Sequence, residues 1–599
     1  MNDQRQITII IAVILVGIVL LTKLFLIQVA DDSFLKRAER NAIQRVVDHP
    51  YRGLVYDRKG KILVYNNPIF DLMIIPREFQ VGDTTRFCEI FQIDKEYLKE
   101  AYTAARKYST VKPSPLVKQI STTDFARIQD YLIDYPGLFV MTRSVRSYPQ
   151  PSAANALGYI GEISSSQLDR DSSRYYKQGD YVGLSGIEGF YENELRGVKG
   201  VKYKMVNVRG VDKGAFKSGE FDTASVAGNN LTSTIDLDLQ QYGEMLMAGK
   251  RGSVVAIEPK TGEVLAMISA PTYDPNVLTG AKFGSNYLVL NRDETKPLFN
   301  RPIMAMYPPG SIFKIVQSLV GLQMGVLTPN TTYGCNRSLV ACHNHPNPVN
   351  LFGAIRNSCN PYYHQAYRAM INREVSRSTF KDTEIGLNEW REYVLKFGLG
   401  APLGIDLRNE KGGSIPSSKL YDRIYGEGRW KYSTIYSLSI GQGEMLVTPL
   451  QMANLAAIFA NKGYYYPPHL IKAVNGDPTK IPLEYQVKHE VGVDAHHFDL
   501  VQDAMAEAIF GTAARAAIKD ITIAGKTGTA QNPQGEDHSV FIAFAPKEDP
   551  KIAIAVYVEN AGWGGRAAAS TASLMIEKYI RGEITRPALE EYVKLGKFM

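Results

Sequence analysis

From Ile7 to Leu21 almost every residue is apolar, and after Thr22 and Lys23 the run resumes from Leu24 to Val29. As a helix rising 1.5 Å per residue this stretch spans about 34 Å, enough for a bilayer core of about 30 Å. The pattern predicts a transmembrane helix, with Lys23 close enough to the outer end to snorkel. A cleaved signal peptide is the competing reading. The length speaks against it, as does Gln28, which stands where a small residue should precede a cut after Ala30. No second stretch of similar length exists, so the chain after Ala30 is expected on one side of the membrane. Asp31 to Val47 reads as a helix leaving it. Beyond that helix the apolar runs become short: Lys61–Tyr65 and Phe70–Ile75 read as strands, separated by turn chemistry at Asn66-Asn67-Pro68. A new pattern starts near Asn230. Gly252–Ile257 and Glu263–Ile268 are strand candidates around a turn at Pro259-Lys260-Thr261-Gly262. Val540–Ala545 and Ile552–Val558 are two more, followed by an alanine-rich helix over Ala567–Ile580. Strands at both ends of a segment with helical sequence between them predict an antiparallel sheet covered by helices, an α+β fold.

Composition narrows this picture without changing it. A chain of 599 residues is too long for one core, so two or more domains are expected. Hydrophobic residues at 45% and charged residues at 22% exclude a disordered chain or a disulfide mini-scaffold. The net charge of +7 permits contact with anionic surfaces, but no basic helix or aromatic-basic motif supports nucleic-acid binding. Cysteine says little about compartment. Cys335 and Cys342 could pair in an oxidising space, could hold a metal together with His343 and His345, or could be free thiols, as could Cys359.

The candidate chemistry begins at Ser311-Ile312-Phe313-Lys314, which follows Tyr307-Pro308-Pro309-Gly310. The prolines and glycine resist helix, so a helix can begin near Ser311. Serine and lysine three apart then share a face, which places an amine beside a hydroxyl. A lysine whose pKa is lowered by burial or by a second cation can take the serine proton, and the helix N-terminus favours an oxyanion next to it. S-x-x-K occurs four times, also at Ser33/Lys36, Ser109/Lys112 and Ser378/Lys381, and those three read as surface serines near solvated lysines. Ser358-Cys359-Asn360, followed by Pro361, is the one S-x-N and reads as a loop. Lys526-Thr527-Gly528-Thr529 follows a strand candidate at Ile521–Ala524. Its cation and hydroxyls could hold a carboxylate, and Gly528 would let a substrate backbone approach as an added strand. A second K-T-G, at Lys260-Thr261-Gly262, reads as a hairpin turn.

S-x-x-K, S-x-N and K-T-G in that order are the motif set of penicillin-recognising serine acyltransferases, and here the chain resembles a class B penicillin-binding protein. Further residues look like family landmarks: Arg52-Gly53-Leu54-Val55-Tyr56-Asp57-Arg58, Gly183-Leu184-Ser185-Gly186-Ile187-Glu188, Thr234-Ile235-Asp236, Gly441-Gln442-Gly443 and Val447-Thr448-Pro449-Leu450-Gln451. Tyr307–Gly310 and Asp537-His538 look more like the elongation-type branch than the division-type branch, its nearest rival. Cys359 inside S-x-N, and Asn155 where relatives carry histidine, depart from the pattern.

The resemblance implies an anchor over residues 1–30, an elongated mixed non-catalytic (dimerisation-like) pedestal over 31–230 and a transpeptidase domain over 231–599, outside the inner membrane. It implies that Ser311 attacks the D-alanyl-D-alanine carbonyl of a peptidoglycan stem peptide with Lys314 as base and Ser358 as proton relay. Asn360 and Lys526 would complete the polar network. Backbone N–H groups of Ser311 and Thr529 would form the oxyanion hole, and Thr527 and Thr529, flanking Gly528, would meet the substrate carboxylate. It further implies covalent inhibition by β-lactams, no metal or organic cofactor, and partners that include a polytopic SEDS-type glycan polymerase and other elongation-complex proteins. A β-lactamase or a β-lactam-sensing receptor would share the triad. Nothing in the sequence identifies a deacylating carboxylate for the first or a transmitting domain for the second.

Overall fold

The structure, a computed structural model, describes residues 2–26, 43–206, 212–280 and 282–598. The N-terminal helix Asn2–Phe25 leaves its apolar side chains from Ile7 to Phe25 exposed, and Arg5–Phe25 has a mean hydropathy of 2.8. It has the length and composition of a single membrane span. Of the helix expected over Asp31–Val47, residues 31–42 lie outside the described residues, and Ile43–Asp48 is a strand instead. Its Ile43, Val46 and Val47 pair antiparallel with Gly200–Val206, a setting that suits β-branched side chains better than a helix does.

The chain divides into two compact units that interleave along the sequence. Met1–Arg52, Pro68–Ser144 and Arg196–Gly228 form one; Gly53–Asn67, Val145–Leu195 and Asn229–Met599 form the other. Segments 53–67 and 145–195 therefore fold with the larger unit although both precede residue 230. The smaller unit has its own core, where Phe87, Phe91 and Tyr135 meet edge to face or tilted over Leu72 and Ile74. Asp83 starts the helix Thr84–Phe91 there by accepting from the N–H groups of Thr85 and Arg86. The turn expected at Asn66-Asn67-Pro68 does not occur. One strand runs from Ile62 to Ile74, pairing with Val55–Tyr56 in its first part and with Ser114–Ile120 in its second. Pro68, which has no N–H to give, falls where the pairing changes partner.

The larger unit is built on a five-stranded sheet of β1 (Gly252–Ile257), β2 (Val264–Ala270), β3 (Ala524–Ala530), β4 (His538–Ala545) and β5 (Ile552–Val558), antiparallel throughout in the order β2-β1-β5-β4-β3. Alternate residues belong to two cores. Val255, Ile542 and Ala555 face one side, while Val254, Phe541 and Val556 face the other. Helices cover both sides: α1 (Leu237–Leu246), α2 (Lys314–Gln323), α3 (Asn360–Ile371), α4 (Pro449–Ala460) and α5 (Ala567–Arg581), with α4 against β1, β4 and β5 and α5 against β4 and β5. Burial on both faces explains why β1, β2 and β5 read as continuous apolar runs. Every residue of α4 is buried. Thr448 and Gln451 start it in a capping box, and the Gln451 amide donates to the carbonyls of Gly398, Ala401 and Gly412.

Candidate active site

Three segments meet beside the edge strand β3. The first is a single 3-10 turn, Gly310–Phe313, running directly into α2 at Lys314. Residues three apart eclipse in such a turn, so Ser311 and Lys314 lie on one side. Gly310 makes this approach feasible: its φ is +59°, and a Cβ there would stand 2.8 Å from the Thr529 carbonyl oxygen. Its N–H donates to the Gly441 carbonyl (2.9 Å), which places Gly441-Gln442-Gly443 as the brace behind the serine turn.

The second segment ends the short helix Leu351–Arg356. Ser358 adopts φ 53°, the left-handed region that a serine enters at a cost of about 1–3 kcal/mol. Cys359 follows as the N-cap of α3, and Asn360 is the first helical residue. The third segment is β3 itself. Lys526-Thr527-Gly528-Thr529 lies inside a strand, paired residue for residue with Ile542, Phe541, Val540 and Ser539. The strand expected at Ile521–Ala524 is displaced toward the motif, because pairing to β4 overrides the turn character of its two glycines. Since β3 is the sheet's edge, its outer side can accept an added strand.

Lys314 is fully buried. Its Nζ donates to the Ser358 carbonyl (2.8 Å) and to Asn360 Oδ1 (2.5 Å), and stands 3.1 Å from Ser358 Oγ. Burial pushes its pKa down to about 7, with only a partial offset from the Cys342 and Cys359 thiols. Lys526 is equally buried, donates to the Thr527 carbonyl (3.1 Å), and is pushed well below the usual lysine range by burial and then by Lys314. Asn360 is held from its other end, its amide donating to the Ala341 carbonyl at 2.7 Å. Among the described residues the Ser311 hydroxyl makes no hydrogen bond and no carboxylate pairs with either lysine. The arrangement can keep an amine neutral at neutral pH next to a hydroxyl.

The other S-x-x-K serines do different work. Ser109 accepts from the N–H groups of Val111 and Lys112 in a turn, and Ser378 caps the helix Thr379–Leu395. Ser33/Lys36 lies outside the described residues. Two sets of contacts had no sequence signal. Tyr307 stacks on Tyr557 at 3.9 Å and donates to Glu559. Tyr363 lies under Lys314, its ring 5.6 Å from Nζ and its hydroxyl 2.7 Å from Ser318 Oγ.

Behind the S-x-N turn, the sulfurs of Cys335, Cys342 and Cys359 and a ring nitrogen of His345 all lie within 4.8 Å of one another. His343, considered with them from sequence, is not part of the group. The close approach of Cys342 and Cys359 pushes the Cys342 thiol below the ordinary thiol range and the Cys359 thiol above it. His345 Nδ1 meets the Pro346 carbonyl at 2.7 Å, which orients the ring. Three sulfurs and one imidazole form a donor set that suits Zn²⁺.

The profile of the penicillin binding protein transpeptidase domain matches residues 252–577, and that of the penicillin-binding protein dimerisation domain matches residues 47–233. The chain is a class B penicillin-binding protein. Relatives of this class include the peptidoglycan D,D-transpeptidase MrdA of Haemophilus influenzae, 30% identical over 98% of this chain and 93% of that protein. Among solved structures, Helicobacter pylori PBP2 in complex with MreC superposes with a TM-score of 0.72 at 24% identity, covering 90% of this chain and 99% of that one. A peptidoglycan synthase complex that coordinates polymerization and crosslinking contains a chain with a TM-score of 0.69 at 25% identity, covering 97% of this chain and 99% of that one. Within the class B penicillin-binding proteins, this chain is similar in sequence to relatives named peptidoglycan D,D-transpeptidase MrdA.

Proposed function

We propose that the protein crosslinks peptidoglycan stem peptides as a D,D-transpeptidase through an acyl-enzyme on Ser311. The observation that carries the proposal is the Lys314 amine, buried without a carboxylate, hydrogen-bonded to Ser358 and Asn360 and one turn from the serine. As Ser311 Oγ attacks the D-alanyl-D-alanine carbonyl, its proton passes to Lys314 Nζ. The backbone N–H groups of Ser311 and Thr529 receive the developing oxyanion. Collapse breaks the peptide bond, and the proton reaches the leaving D-alanine amine by way of Ser358. Lys526 and Asn360 keep Lys314 neutral and oriented. Thr527 and Thr529 hold the terminal carboxylate, with Gly528 leaving room for the substrate backbone. An acceptor amine then displaces the serine, which recovers its proton.

In this reading residues 231–599 carry catalysis, residues 31–230 are the non-catalytic pedestal, and the N-terminal helix anchors the enzyme in the inner membrane with its catalytic unit in the periplasm. The role is cell elongation. The relatives named MrdA, the solved complex of PBP2 with MreC and the peptidoglycan synthase complex support partners of that kind, among them a SEDS-type polymerase. Labelling the purified protein with a fluorescent penicillin, followed by intact mass and peptide mapping, tests the assignment. A stable adduct on Ser311 that Ser311→Ala loses is expected. No adduct on folded protein would sink the reading, and a transient adduct with steady drug turnover would indicate a β-lactamase.

A further inference from the structure

Asn360, His364, Arg368 and Asn372 recur every four residues along α3 and its C-cap, so they form one stripe that starts at the Lys314 cluster and runs away from it. Beyond Asn360 the stripe lines an open groove of about 450 Å³. The opposite wall comes from Lys431, Tyr432 and Ser433, and the Tyr432 hydroxyl ties the walls together by donating to the His364 carbonyl at 2.5 Å.

The groove is lined by two cations and no carboxylate. Neither Arg368 nor Lys431 makes an ion pair among the described residues. The His364 ring packs edge to face between Tyr432 and Tyr436 and forms the floor between the two walls. Two exposed cations on a convex surface would be a solvated face. In a concavity with hydroxyls and an amide, they form a site for anionic oxygens, and the guanidinium fork matches a carboxylate.

Resting on the proposed transpeptidase reading, we infer that this groove binds the acyl-acceptor stem peptide, with Arg368 and Lys431 holding its carboxylates. The donor is assigned to the β3 edge, and Lys314 stands between that edge and the first turn of α3. The acceptor amine must deliver its proton to Lys314, so it approaches along α3. The stripe from Asn360 to Asn372 is about 18 Å long, the reach of about five extended residues. The amine nitrogen bonds to the ester carbonyl carbon, the bond from that carbon to Ser311 Oγ breaks, and the amine proton returns to Oγ through Lys314.

The test uses the full-length protein, a donor peptide ending in D-alanyl-D-alanine, and two acceptor peptides identical except that one has its carboxylates amidated. For the double variant Arg368→Ala/Lys431→Ala, the KM of the carboxylate acceptor should rise roughly tenfold or more while that of the amide stays at the wild-type value. An unchanged KM, or an equal rise for both acceptors, would overturn the inference. Arg368→Gln alone, with a melting curve, covers the case in which the double variant folds poorly. Failure of the transpeptidase reading is seen separately, as absence of the penicillin adduct on wild-type Ser311.

Discussion

Lys260-Thr261-Gly262 and Lys526-Thr527-Gly528 place the same tripeptide in two surroundings. Lys260 sits in the turn between β1 and β2, its side chain 62% exposed and 2.6 Å from Asp549, and that carboxylate raises its pKa. Thr261 donates to Glu258 across the same turn, and Gly262 serves it with φ +80°. Lys526 lies inside an edge strand, fully buried, with a second lysine as neighbour and its pKa driven down. Water and an acid make the first lysine a permanent cation. Their exclusion makes the second responsive to whatever anion enters the site. The chemistry therefore belongs to the burial and to the partners rather than to the three letters, and the same holds for Ser311 against Ser109 and Ser378.

The largest effect should come from removing the buried amine proposed to act on the serine. Lys314→Met, a near match in volume, should slow acylation by penicillin by about a hundred- to ten-thousand-fold, measured by stopped-flow or rapid-quench labelling. Wild-type rates from this variant would sink the base assignment and with it the contrast drawn above. The pH profile sharpens the same point. In the proposed mechanism acylation needs neutral Lys314, and the neutral fraction grows as pH rises through a pKa of about 7. The rate should climb to near neutrality and level off by about pH 8.5, whereas a climb continuing above pH 9 would mean a barely shifted lysine. Asn360→Asp places a carboxylate where the amide oxygen now accepts from Lys314. It favours the cation and should move the midpoint up by about one to three pH units.

Alkylation of the thiols tests the cluster behind S-x-N. Cys342, half-buried and with its thiol pushed below the ordinary range, should react with iodoacetamide well before the buried Cys88 and Cys359. Added Zn²⁺ should protect Cys335 and Cys342 together, followed by peptide mass mapping. If zinc leaves their rates unchanged, the four donors are not a metal site.

What the sequence makes legible follows the same division. β1, β2, β4 and β5 are continuous apolar runs because both sheet faces are covered, so pattern alone finds them. β3 is hidden: Ala524-Gly525-Lys526-Thr527-Gly528 carries turn residues, and only pairing with β4 makes it a strand. The strand through Asn66 to Pro68 is hidden for the same reason. Motif order brings Ser311, Lys314, Ser358, Asn360 and Lys526 together, but the left-handed Ser358 and the contact of Asn360 with Ala341 depend on tertiary packing. Cys359 joins Cys335 and Cys342 through tertiary folding that no local spacing encodes. Lys431 and Arg368 meet across a long stretch of chain that no local spacing encodes.

The smallest expected effect closes the comparison. Lys260→Met removes an exposed cation from an ion pair whose Coulomb gain is screened by water and offset by the entropy of holding two mobile side chains. The hairpin itself is held by backbone bonds from the N–H groups of Thr261 and Gly262 to the Glu258 carbonyl, which the substitution does not touch. Its melting temperature and penicillin acylation rate should be indistinguishable from wild type, by calorimetry and by the same labelling assay. A measurable loss of acylation would mean that this turn communicates with the site. The argument that surroundings alone separate the two K-T-G segments would then fail.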